Sequence, residues 1–306
     1  MASLRTKLQN FGKRNWDDIR DTWLANVPRF PSTGARPDPG LERLIFLSEL
    51  SIPDNYGRFP DVSGLRSNTL WEAVFLFHKC SHTSLASQRI CQQGMHSWCL
   101  FNAYHSAYLG ARGIMSLLGI ALPNLAGNQV AIDLYPEPPK KKAHRSLGSP
   151  QFEEFLMVRL PKLDQRNLWE AFQRVLRMSD AQCWDIRLRR DLLNLDYEKV
   201  TPPRNHFLYK AHFWPLDDLT SDATPADLAG LFGTSLEADD RGFLLRLSFS
   251  VYRLFEQLMT DLAESSAVVK QQLDASRFLL SSELPELVCY REFLSQVRTQ
   301  AEGNRL

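Results

Sequence analysis

No stretch of this 306-residue chain comes near the roughly 18 uninterrupted apolar residues that a membrane-spanning helix needs. The opening segment MASLRTKLQNFGKRNWDDIRDTW is basic and polar without an apolar run, which leads us to expect a cytoplasmic protein with no membrane partner. Cysteine is sparse. The five residues Cys80, Cys91, Cys99, Cys183 and Cys289 are an odd number in a chain with 44% hydrophobic side chains, so the core does not call for disulfides and a reducing compartment fits. Charge of one sign is also missing: 36 basic residues against 35 acidic ones leave +1, and any polyanion must be met by a local patch. The catalytic templates G-x-S-x-G, Walker loop, G-x-G-x-x-G and HExxH are absent, which excludes the common nucleotide-binding and hydrolase-fold enzymes. No internal repeat is present.

What the chain has is helical periodicity. The first 66 residues read as an irregular lead-in, with short helices near Trp16–Leu24 and Leu41–Leu50 around the Pro/Gly-rich RFPSTGARPDPG. From Thr69 two long helical patterns follow, LWEAVFLFHKCSHTSLASQRI and HSWCLFNAYHSAYLGARGIMSLLGI, with Gly94 between them as the break. In the second, Tyr104, Tyr108, Ala111, Met115 and Leu118 recur at alternating spacings of four and three, forming one seam. Beside it Ala103, Ala107, Gly110 and Gly113 are small enough for a neighbouring helix to come close. Gln129–Tyr135 alternates weakly and reads as a short strand or extended crossing, and PEPPKKKAHRSLGSP as a loop. Helical patterning is expected again at Phe152–Val158, Asn167–Arg177 and Trp184–Leu195, then from Thr201-Pro202-Pro203, an N-cap followed by proline in the first turn. Past the hinge-like DDLTSDATPADLAG, further helices are expected near Gly242–Glu264, Ser266–Ser281 and Pro285–Glu302. The fold class expected is therefore mainly α: a helical bundle over 67–219 with additional C-terminal helices over 220–306.

The helix opening TPPRNHFLYKAHFWPLDD and the earlier run NAYHSAYLGARGIMSLLGI carry a resemblance. HEPN domains are short helical bundles whose last core helix begins with Arg-x4–6-His, commonly with Asn after the Arg, and whose second helix is an alanine- and aromatic-rich run ending in Leu-Gly. The chain resembles this family over about residues 67–215, with Arg204 and Asn205 on the motif. It departs from the pattern at Tyr209, which stands where the histidine is expected; His206 is too early and His212 lies eight residues on. Helical projection places Asn205, Tyr209 and His212 on one stripe with Arg204 at its flank. The resemblance implies a metal-independent endoribonuclease or RNA-binding protein in toxin–antitoxin or antiphage defence, without cofactor. It also implies a homodimer whose motifs face each other, and an antitoxin or defence protein as partner.

Such cleavage needs a base for the 2′-hydroxyl, a cation for the phosphate and an acid for the leaving oxygen. Arg204 suits the cation, His212 the acid or base, and Tyr209 a hydrogen bond to phosphate or a stack on a base. A contrasting reading makes Arg204 and Asn205 helix-bridging residues in a non-catalytic dimerisation or partner-binding scaffold, which Tyr209 favours. Lys140, Lys141, Lys142 and Arg145, with His144, form the strongest basic cluster and would meet phosphates without reading bases. Arg89 and His96 also satisfy the Arg-x6-His spacing, but across the expected break at Gly94. His78, His82, Cys80, Cys91, His96 and Cys99 invite a zinc reading, yet they sit within amphipathic helices and lack tight C-x2-C pairs, so core packing is preferred and no metal is expected. Trp71, Trp98, Trp169 and Trp184 read as core, while Trp214 adjoins the motif helix.

Overall fold

The structure is a computed structural model, and it describes residues 8, 11–25, 52–53, 56–62, 64–93, 95–125, 127–135, 154–160, 165–196, 200 and 243–282. Among these, seven helices and a small antiparallel sheet share one hydrophobic core.

The two long periodic stretches are α2 (Leu65–Gln92) and α3 (His96–Leu117), and their short connection makes them antiparallel neighbours. The C-terminal patterns become α6 (Phe243–Ser265) and α7 (Ala267–Ser282). Helix α3 packs on α2 and on α6, α6 on α7, and α7 back on α2, so the four close into a ring. The small-residue face of α3 makes this possible. A Cβ on Gly110 would lie 2.7 Å from a Val251 methyl carbon and 3.1 Å from Cys80 Sγ, and one on Gly113 would lie 2.2 Å from the Phe255 ring. Glycine at these positions lets α6 reach close to the α3 backbone, as the spacing of Ala103, Ala107, Gly110 and Gly113 leads one to expect. The helix that fills the groove belongs to the same chain, so the seam does not require a second copy. Tyr104, Ala111, Met115 and Leu118 of the longer seam are fully buried, and Tyr108 is half-buried.

Two shorter helices, α4 (Gln165–Met178) and α5 (Ile186–Leu193), lie on the bundle's flank. Trp169 of α4 reaches Tyr104 of α3, ring centroids 6.3 Å apart. Asp185 caps α5 by accepting from the backbone N–H groups of Arg187 (2.8 Å) and Leu188 (3.1 Å).

The sheet departs from an all-helical expectation. Strands β2 (Tyr56–Pro60), β6 (Glu154–Arg159), β5 (Asn128–Asp133) and β3 (Ile120–Ala121) are hydrogen-bonded antiparallel in that order, with β4 (Asn124–Leu125) also pairing β5. Residues 128–133 form the strand expected there. Phe152–Val158 does not form the expected helix: 154–159 is β6, between β2 and β5, with Arg58 opposite Leu156 and Ile132 opposite Met157. Phe155, Leu156, Met157 and Val158 are all buried, so the strand is an unbroken apolar run, which periodicity does not separate from a buried helix turn. Strand β2 lies within the stretch read as lead-in. Residues 1–66 also contribute β1 (Arg14–Asn15), paired in parallel with β7 (Ser179–Asp180), and α1 (Trp16–Ala25).

Helix α1 is tied to the bundle through both of its tryptophans. Trp16 and Trp23 are fully buried. Trp16 Nε1 donates to Asp261 Oδ2 on α6 at 2.7 Å, and Trp23 Nε1 donates to the Leu117 carbonyl at the end of α3 at 2.7 Å. The latter satisfies one of the carbonyls that a helix C-terminus leaves open.

Candidate functional site

The residues on which the sequence places RNA chemistry, Arg204, Asn205, Tyr209 and His212, lie outside the described residues, as do Lys140, Lys141, Lys142 and Arg145. Trp214, Leu41–Leu50, Pro285–Glu302 and the helix expected from Thr201 lie outside them as well. Three of the polar clusters among the described residues, and one exposed face, each set a different chemical limit.

The first cluster is built where α3 ends against β5. Arg14 and Asp133 form an ion pair with both side chains fully buried. Arg14 also donates from Nε to the Leu118 carbonyl (3.0 Å) and from Nη1 to the Gly12 carbonyl (2.6 Å). Asp133 Oδ1 accepts from the Tyr135 backbone N–H (2.9 Å). Arg66, paired with Asp61, donates to the Leu134 carbonyl at 3.2 Å and sits 6.0 Å from the Tyr135 ring centroid. Trp23 meets the same ring edge-on at 5.7 Å. Burial pushes the Tyr135 phenol well above its ordinary value, so it stays protonated. Gly119, at φ +77°, is required because a Cβ there would lie 2.1 Å from the Tyr135 ring. With the carboxylate and guanidinium of the central pair sealed from water, this cluster joins the lead-in, the bundle and the sheet and presents no reacting group to a substrate.

The second cluster has the composition of a nucleophilic dyad. His78 Nδ1 lies 2.5 Å from Ser276 Oγ and Nε2 lies 3.3 Å from Gln272 Oε1. A neutral imidazole satisfies both by donating from Nε2 and accepting the Ser276 hydroxyl proton at Nδ1. Burial lowers the His78 pKa, with His82 adding to the effect and the Gln272 bond opposing it. Ser276 is 1% exposed between α2 and α7, so no carbonyl or phosphate reaches its oxygen, and the pair ties the two helices together.

The third cluster is Arg253, Glu256 and Arg277. Glu256 is 3.1 Å from Arg253 and 3.2 Å from Arg277, which also donates to Thr260 Oγ1 at 3.1 Å. It fixes α7 on α6.

Of the thiols among the described residues, Cys80 and Cys99 are small core groups and Cys183 is partly buried. Cys80 Sγ lies 3.3 Å from Ser106 Oγ and burial raises its pKa to about 12. Ser87 Oγ donates to the Cys99 carbonyl at 2.7 Å, and Cys99 is 1% exposed. Cys183 is also raised to about 12, chiefly by burial. Among the described residues no group of three or more His, Cys, Asp or Glu side chains is placed to hold a metal ion, and no helix is long and apolar enough to cross a membrane.

Trp169 and Trp184 are buried and Trp71 is half-buried. Trp98 is 40% exposed, against the core expectation, because it lies on the outward stripe of the first turn of α3. Sequence reasoning did not find the Arg14–Asp133 pair or the partners of His78, since each joins residues distant along the chain. No family model, no curated protein and no solved structure matches the chain.

Proposed function

We propose that the chain is a HEPN-like protein that handles RNA in a toxin–antitoxin or antiphage defence system, cutting it without a metal ion. The observation that carries the reading is the ring of four helices. Two of its members, α2 and α3, fall in the stretch that resembles the family, and α3, the run that resembles the family's second helix, packs against α2 and α6. In this reading Arg204 holds the phosphate, His212 moves the proton, and Asn205 and Tyr209 orient the substrate, with two copies of the chain facing each other. The basic cluster of Lys140, Lys141, Lys142 and Arg145 adds phosphate contacts.

Arg204→Ala tests it. Loss of phosphate stabilisation lowers RNA cleavage on the order of a hundredfold while the thermal transition stays put. A wild-type chain that cleaves no RNA, together with a destabilised Arg204→Ala variant, instead makes Arg204 a helix-bridging residue.

The second reading is a non-catalytic dimerisation or partner-binding scaffold. It is favoured by Tyr209 at the motif's histidine position and by the way His78, Cys80 and Cys99 are held inside the bundle. Sedimentation distinguishes a lone chain from the dimer that both readings use.

A further inference from the structure

The face of the α2–α3 hairpin turned away from the ring carries exposed cations and aromatic side chains. Along α2 the residues Phe75, Lys79, His82 and Arg89 are exposed, at spacings of four, three and seven that keep them on one helical stripe. At 1.5 Å per residue this stripe runs about 21 Å. Phe75 is 45% exposed and stacks on Trp71, ring centroids 5.7 Å apart. At the connection between the helices, Met95 and Trp98 are each 40% exposed.

The charge on this hairpin is one-sided. Residues 65–117 contain a single acidic side chain, Glu72, in a chain that carries 35 acidic residues in 306. That carboxylate is neutralised by Arg112, whose Nη2 lies 3.1 Å away. The near-neutral total of the molecule therefore conceals a face without free negative charge.

Two chemistries fit an exposed helical stripe with aromatics, and the arrangement separates them. A protein-binding patch has a contiguous apolar centre depleted of charge with a polar rim. Here the order is reversed: the large apolar side chains stand at the two ends, and Lys79, His82 and Arg89 lie between them. A single-stranded nucleic acid asks for that order, because its phosphates need cations along a track and its bases need flat aromatic faces beside it. Such stacking reads no sequence, since every base offers a π-face.

We infer that the outward face of the α2–α3 hairpin is a track for single-stranded RNA, with Lys79 and Arg89 on phosphates and Phe75 and Trp98 stacking on bases. This rests on the RNA-handling reading above and adds to it a binding surface made of residues other than Arg204 and His212. Lys79 and Arg89 are exposed, while Phe75 also stacks on Trp71 and Trp98 meets the Phe101 ring edge-on, so the thermal transition of each variant is recorded beside its binding.

The test is fluorescence anisotropy of a labelled oligouridylate against the full chain over a series of salt concentrations. Single strands lose affinity with a log–log slope of about −0.7 per phosphate neutralised, so Lys79→Ala with Arg89→Ala makes the slope shallower by about 1.4. Phe75→Ala and Trp98→Ala each weaken binding about tenfold and leave the slope unchanged, because a stacked base carries no counterion. Polyglutamate at equal charge does not compete. Binding by the wild type that none of these variants alters overturns the track while leaving the RNA reading in place. Competition by polyglutamate together with insensitivity to Phe75→Ala and Trp98→Ala also overturns it and assigns the face to an acidic protein segment. A wild-type chain that binds no oligouridylate at low salt overturns track and RNA reading together.

Discussion

The two sides of α2 and α3 are made from the same helices and have opposite chemistry. Inward, Gly110 and Gly113 give way to Val251 and Phe255, Ser106 bridges Cys80 and Ser84, and His78 is bonded on both ring nitrogens. Outward, Phe75, Lys79, His82 and Trp98 are exposed in a row that no acidic residue interrupts. His78, Cys80 and Cys99 are held inside, where they are shut off from substrate. Unremarkable types fall outside, where recognition takes place. Residue identity alone is thus a poor guide to function in this chain, and placement decides.

The largest effect is expected at the buried pair below the bundle. Asp133→Ala leaves the Arg14 guanidinium sealed without its counter-charge, and removing one partner of a buried pair costs about 3–5 kcal/mol. Urea unfolding measures it. A loss of less than about 1 kcal/mol would mean that water reaches Arg14 and that the N-terminal tie is loose.

Gly113→Val attacks the close approach of α6 to α3. Its Cβ would clash with the edge of the Phe255 ring, and overpacking of this kind costs about 1–3 kcal/mol or more. Gly110→Ala, against Val251, should cost less because a methyl end can move further than a ring.

How far these regions are legible in the sequence differs for physical reasons. The helices of the ring show because a 3.6-residue period survives in any buried amphipathic helix, and the small residues of α3 announce a close neighbour. They do not say which neighbour. Val251 and Phe255 come from the same chain, although the groove reads equally well as a place for a second copy. Strand β6 reads as a helix in the sequence because Phe155–Val158 is buried throughout and loses the two-residue alternation. Strand β2, YGRFP, hides behind its Gly and Pro. The Arg14–Asp133 pair could not be seen at all, since neither residue has a local pattern. Of the candidate site, Arg204, Asn205, Tyr209 and His212 were legible only as a motif, and they lie outside the described residues.

A smaller, pH-dependent effect follows from His78. Its folded pKa is lowered, so the folded state favours the neutral ring while the unfolded ring titrates near 6.5. The stability it contributes is complete above that value and is lost as pH falls below it towards the folded pKa. The melting temperature should therefore drop between about pH 7 and 5, and His78→Gln should flatten that part of the profile. An unchanged slope in His78→Gln would place the titrating group elsewhere.

The outward side should show the smallest effect on stability. Phe75→Ser and Lys79→Ala should each change it by no more than about 0.5 kcal/mol in the same urea titration. A larger loss would make the row part of the packing.

Photochemical cross-linking of an oligouridylate to the full chain, with the adducts located by peptide mapping, tests most directly that RNA lies on this face. Adducts on peptides containing Phe75 and Trp98 are the predicted result. A folded chain that binds the oligonucleotide and carries its adducts only on peptides outside 65–117 would contradict the account.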